Sequence, residues 1–201
     1  CSDCGNKQYQ ASNTFEGTTC TAWTKCLAGK RGTTPTASVN RVCSDCGNKQ
    51  YQASNTFEGT ECTAWTKCLK GKKGTTPTAS VNRVCSNCET GHYQGSNTFE
   101  GTSCTECANG QYQNSINRPS CKSDCNAGSY INDFKTLCVV CASGQSQNQD
   151  DQSTCSGCGT GKYQNEYGQT SCKSDCYAGL YINNAKTLCL ECVLGKYQDQ
   201  D

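Results

Sequence analysis

Apolar residues are scattered thinly along this 201-residue chain, and the only pattern they make is local. A tyrosine flanked by polar residues recurs, as in Gln8-Tyr9-Gln10 and Lys162-Tyr163-Gln164. Such x-Tyr-x alternation favours a short extended stretch. Clusters of Asn, Gly, Asp and Ser follow each stretch and favour a reversal of direction. The pattern predicts short, irregular β-hairpins with little or no helix. No apolar run approaches the ~20 residues needed to cross a bilayer, so no membrane span is expected in this stretch.

The tyrosines are in step with cysteines. Cysteines fall in eleven close pairs: 1/4, 20/26, 43/46, 62/68, 85/88, 104/107, 121/125, 138/141, 155/158, 172/176 and 189/192. Gly stands three residues after the second cysteine in nine of them. Tyr stands five residues after it in eight, at Tyr9, Tyr51, Tyr93, Tyr112, Tyr130, Tyr163, Tyr181 and Tyr197. The unit is therefore Cys-x-x-Gly-x-Tyr, a polar stretch, and the next pair. Gly beside a bridging cysteine permits the positive φ of a sharp turn. Longer self-similarity overlies this unit. Residues 1–42 and 43–84 differ only at Thr19/Glu61, Ala28/Lys70 and Arg31/Lys73. A partial third copy covers 85–106. Three short modules follow over 107–157, and 158–201 repeats them with a 51-residue period, cut short.

Composition turns this pattern into a fold class. Leu, Ile, Val and Phe together number 21, too few for the single core of a conventional domain, whereas Cys numbers 22. A Rossmann-type sheet, a helical bundle and a barrel enzyme are excluded. Cross-links replace the core, and they persist in oxidising compartments, which predicts an extracellular or cell-surface location. The formal charge is +1 with Lys and Arg scattered, which points to neither nucleic acid nor a polybasic membrane patch. The chain opens on Cys1 without a signal peptide, so a piece of a longer secreted protein is expected.

Geometry narrows the disulfide pairing. Two cysteines separated by two residues rarely bridge without strain, whereas a hairpin of 12–16 residues brings its ends to the ~5.5 Å Cα separation required. The second cysteine of each pair is therefore joined to the first of the next. This gives Cys4–Cys20, Cys26–Cys43, Cys46–Cys62, Cys68–Cys85, Cys88–Cys104, Cys107–Cys121, Cys125–Cys138, Cys141–Cys155, Cys158–Cys172 and Cys176–Cys189. Cys1 and Cys192 stay unmatched, with partners expected in neighbouring modules. The Tyr ring is the natural lid over its module's disulfide. Trp23, Trp65, Phe15, Phe57, Phe99 and Phe134 are expected to pack similarly; their regular placement favours packing over ligand stacking.

The run Cys1-x2-Cys4-x15-Cys20-x5-Cys26-x16-Cys43-x2-Cys46, with Asn40-Arg41-Val42 before the closing cysteine, resembles the cysteine-rich repeats of the tumour necrosis factor receptor family. The units from Cys107 onward are similar to ephrin-receptor-like cysteine-rich modules. The resemblance implies small modules stacked end to end into an elongated rod with sequential bridges. Ser146, Arg31 and Lys73 stand where the unit has Tyr, and receptor signalling does not follow from the fold.

Other motifs have plainer readings. Seven pairs are Cys-x2-Cys, a zinc-ligand spacing, but the others drift to x3 and x5 and the only histidine is His92, so no metal or cofactor is expected. His92 has no triad partner, and nucleophile-elbow, phosphate-loop, zinc-protease and EF-hand motifs are missing, so no enzyme is expected. Asp150, Asp151 and Glu191 read as solvated edge rather than calcium ligands. Thr33, Thr34, Thr36 and Ser38 surround Pro35, and Thr75, Thr76, Thr78 and Ser80 surround Pro77, in the manner of O-glycan acceptors. Two functions fit. The preferred one is an extracellular structural or adhesive protein, a rod-like spacer or part of a surface fibre or filament built from copies of itself. The other is the ligand-binding ectodomain of a cell-surface receptor. Both imply protein partners.

Overall fold

The computed structural model describes residues 3–11 and 19–196. Among the described residues there is no helix, and strands pair only two at a time, into nine two-stranded sheets. The chain divides into two compact units: one of Cys1–Cys68, Gly74–Ser86 and Glu100–Thr102, the other of Leu69–Lys73, Asn87–Phe99 and Ser103–Asp201.

In the first unit, antiparallel hairpins join Gln8–Tyr9 to Thr21–Ala22, Lys30–Gly32 to Cys43–Asp45, and Gln50–Tyr51 to Thr63–Ala64. In the second they join His92–Tyr93 to Thr105–Glu106, Ser129–Ile131 to Cys138–Val140, and Gln145–Ser146 to Ser156–Gly157. Lys162–Tyr163 with Lys173–Ser174 and Leu180–Ile182 with Cys189–Glu191 complete it. Between them Tyr112 and Lys122 make a single antiparallel bridge.

Disulfides close the hairpins in sequence. The first unit holds Cys4–Cys20, Cys26–Cys43, Cys46–Cys62 and Cys68–Cys85. The second holds Cys88–Cys104, Cys107–Cys121, Cys125–Cys138, Cys141–Cys155, Cys158–Cys172 and Cys176–Cys189. Buried half-cystines such as Cys26, Cys88, Cys125 and Cys141, all at 0 % exposure, fill the space that aliphatic side chains fill elsewhere.

Each hairpin is entered through the same turn. The residue four after the second cysteine donates its N–H to the carbonyl one after it, as Lys30 does to Leu27 at 3.1 Å and Gln145 to Ala142 at 3.2 Å. The third residue of that turn takes positive φ, the requirement of a type II turn. Gly supplies it at Gly71 (φ 75°) and at the equivalent positions, while Lys7 (φ 63°) and Lys49 (φ 60°) adopt it without being glycine.

The joint between modules belongs to the residue after the tyrosine, which is most often glutamine. The turn glycine of one module donates its N–H to this residue's carbonyl in the next: Gly29 to Gln52 and Gly71 to Gln94 at 2.7 Å, Gly144 to Gln164 at 2.6 Å. The glutamine's own N–H passes to the following module, Gln52 to Ala79 and Gln164 to Lys186, both at 2.9 Å. Its side chain turns inward. Gln94 is 3 % exposed, donates through Nε2 to the carbonyls of Lys72 (3.0 Å) and Leu69 (3.4 Å), and accepts the Ser96 N–H. Gln94→Leu removes these bonds, leaving the Ser96 N–H without its acceptor and the Leu69 carbonyl with only the Lys72 N–H, and is expected to cost about 2–3 kcal/mol. Faster amide exchange at Ser96 and Gly71, with exchange at Tyr163 unchanged, is the result that checks it.

Aromatic packing departs from the expected lid. Tyr112, 7 % exposed, clusters with Cys125, Ile131 and Cys138, so the ring seals the following module's disulfide rather than its own. Its phenol is pushed above the ordinary tyrosine range by burial and by the nearby Asp124 carboxylate. Phe134 does not pack at all; it is 81 % exposed, because the tight loop it occupies is held by Asn132 hydrogen-bonding Thr136 and Leu137 and leaves the ring outside.

Candidate functional site

The first unit presents one surface twice, 42 residues apart. Its foundation is a buried arginine. Asn40 accepts the N–H groups of Thr24 (2.9 Å) and Arg41 (2.8 Å) through Oδ1 and donates to Thr24 Oγ1. That clamp turns Arg41 inward to 6 % exposure, where Nη1 donates to the Thr24 carbonyl at 3.1 Å and the stem lies over Gly32. Asn82, Arg83, Thr66 and Gly74 repeat the arrangement. The Pro-containing loops stand on this base. Thr33 Oγ1 accepts the Val42 N–H and Thr36 Oγ1 the Val39 N–H, with Thr75 and Thr78 doing the same for Val84 and Val81. Ser38 and Ser80 lie 3.3 Å from the Thr36 and Thr78 hydroxyls. Thr34 and Thr76 are exposed, and their hydroxyls make no hydrogen bond among the described residues.

A cluster of charge lies on each copy. Lys7 Nζ is 2.6 Å and Lys25 Nζ 3.7 Å from Glu58; Lys49 and Lys67 approach Glu100 at 2.7 and 3.7 Å. The hydrogen bond from Lys7 holds the Glu58 carboxyl below the ordinary glutamate range, helped by the charges of Lys7, Lys25 and Arg41. Lys49 does the same for Glu100, with Lys67 and Arg83 contributing. A carboxyl with a lowered folded-state pKa adds stability above its unfolded pKa and loses it as pH falls through the folded value. These exposed pairs are screened by salt. Melting between neutral pH and about pH 3 is therefore expected to show a smaller acid-side loss in Glu58→Gln/Glu100→Gln than in the parent, the difference shrinking in high salt. Parallel curves at low salt would contradict it.

The remaining residues singled out by sequence fall in separate places. His92, in a hairpin strand, has Nδ1 3.2 Å from the Thr90 carbonyl. Asp150 and Asp151 are not simply solvated: their carboxylates accept the N–H groups of Ala127 (2.7 Å) and Cys125 (3.0 Å) and so tie two modules together. Glu191 is exposed at the end of its strand. Cys192 carries a free, half-buried thiol. Cys1, Phe15 and Tyr197 lie outside the described residues. The inward glutamines and the buried Arg41 and Arg83 escaped the sequence reading, although the recurring Tyr-Gln pair was a visible signal for the first.

No family model matches the chain, and no curated protein matches it. Among solved structures, a chain of the human RANKL/OPG complex superposes with a TM-score of 0.31 at 18 % identity, covering 91 % of this chain and 96 % of that one. So loose a superposition assigns the chain neither family nor partner.

Proposed function

We propose that this chain is a ligand-binding ectodomain segment, extracellular or on a cell surface, whose covalently locked modules present side chains to protein partners. One observation carries the reading. Among the described residues, large apolar side chains stand in water more often than they are buried: Leu27, Val39, Val42, Leu69, Val81 and Val84 are all 53–64 % exposed. Ile116, Leu137, Val140, Tyr167 and Leu188 add unlike exposed positions in the second unit. These exposed aliphatic side chains would supply the apolar contacts of a protein interface. Its change of character along the chain suits partner recognition better than a lattice of identical contacts. Catalysis has no part in the proposal, and O-glycans belong to it at Thr34 and Thr76, whose hydroxyls are free of the loop's internal bonds.

A structural or adhesive role, as spacer or filament, is favoured by a different observation, the near-identity of residues 1–42 and 43–84. Sedimentation velocity with negative-stain imaging across a concentration series separates the two. Particles that stay monomeric at every concentration support the ectodomain and overturn the structural role; filaments or lateral sheets do the reverse.

A further inference from the structure

The charge clusters of the first unit border a cleft that packing does not explain. Asn48, Lys49, Gln50, Trp65, Lys67 and Glu100 line a space of about 290 Å³. We propose that this cleft, together with the matching side chains Lys7, Trp23, Lys25 and Glu58 one repeat earlier, binds an acidic oligosaccharide, one uronate-bearing segment to each.

The indole is held by its edge. Trp65 donates Nε1–H to the Thr78 carbonyl at 3.1 Å and its backbone N–H to the Lys49 carbonyl at 2.8 Å. Its counterpart Trp23 donates to Thr36 at 3.2 Å and Lys7 at 2.9 Å. Both rings are thus oriented, and each keeps part of its surface in reach of a ligand. A rigid amphipathic ring beside fixed polar groups is the make-up of a small-ligand site.

The polar groups select the ligand. Lys49 and Lys67 bring two ammonium charges against the single carboxylate of Glu100, and their side chains remain 60 % and 56 % exposed. The residual positive charge favours an acid group on the ligand. Glu100, with the amides of Asn48 and Gln50, offers acceptors that a run of carboxylates alone would find repulsive but sugar hydroxyls satisfy. The apolar face of a pyranose ring matches the flat indole. An acidic peptide meets the lysines but leaves Glu100 opposed, so the saccharide is the better occupant. Two equivalent sets of side chains in one unit suit a repeating polymer, because the second binding event becomes intramolecular. The inference goes beyond the ectodomain reading and holds equally for a structural protein.

Trp23 and Trp65 are the only tryptophans in the chain, so intrinsic fluorescence reports on the clefts directly. Titration of the intact protein with a galacturonic acid oligosaccharide at low ionic strength is expected to shift the emission saturably and to weaken with added salt. Lys49→Gln/Lys67→Gln is expected to remove about half of the amplitude, and adding Lys7→Gln/Lys25→Gln the remainder. Circular dichroism and disulfide mass confirm that the variants are folded. No emission change, an equal change with a neutral glucose oligosaccharide or with oligoglutamate, or an unaltered response of the fourfold variant would overturn the proposal.

Discussion

Replacing Cys26 and Cys43 together by serine is expected to destabilise that module by about 3 kcal/mol, the chain-entropy cost of releasing a loop of this size. The bridge spans 17 residues, and its Cys26 half is 0 % exposed. Cys26 also exchanges backbone hydrogen bonds with Phe57 in both directions at 2.9 Å, so the effect extends to the next module. It stops soon after, because each module touches only those one or two places away, as Gly71 meets Asn117 and Lys7 meets Glu58, rather than a shared centre, and stability in such arrays is a sum of local and near-neighbour terms. Amide exchange is the measurement that resolves this, since a single melting temperature averages over modules. Thr33 and Phe57 should lose protection while Ile131 and Gln164 keep theirs. Uniform loss along the chain would mean one cooperative core and would contradict the modular account.

Gly71→Ala is the second change with a large effect, about 2–4 kcal/mol. Part is conformational, because an L-residue at φ 75° costs about 1–2 kcal/mol relative to glycine. The larger part is steric. A Cβ at Gly71 would stand 2.5 Å from the Asn117 carbonyl carbon and 2.6 Å from its oxygen. Those are backbone atoms, pinned by the Asn117 N–H donated to the Cys88 carbonyl at 2.9 Å, so they cannot withdraw without breaking the joint. Gly179 is the internal control. It has φ 86°, but a methyl group there would meet no atom within 4 Å, so Gly179→Ala should show the conformational cost alone. Denaturant titration followed by exchange at Gln94 and Cys88 compares the two. Equal losses would show that the close approach at Gly71 is not a constraint.

The hairpin modules were legible because their determinants are local. Gly71 and its equivalents announce a turn, the tyrosine after them an extended step, and the cysteine spacing a closed loop of hairpin size. Lys7 and Lys49 hid the same turn, since a lysine gives no sign of positive φ until a neighbouring structure imposes it. Phe134 misled for the opposite reason: an aromatic residue in a chain short of core is expected to pack, yet its loop is closed by Asn132 without the ring.

Sequence by itself, then, determined that this protein is a disulfide-rich repeat of short hairpins with little or no helix, because turn chemistry and loop closure depend on residues within one module. Tertiary structure alone decided how modules are joined and what they expose. The partners of Gln52 and Gln94 lie one module back and one ahead, the burial of Arg41 and Arg83 depends on the Asn40 and Asn82 clamps, and Tyr112 seals a disulfide that is not its own. The same holds for the Lys49–Trp65–Lys67 cleft, whose Glu100 comes from a later repeat. These contacts are long-range in sequence, and composition and spacing carry no information about which side chain a neighbouring module will bring alongside.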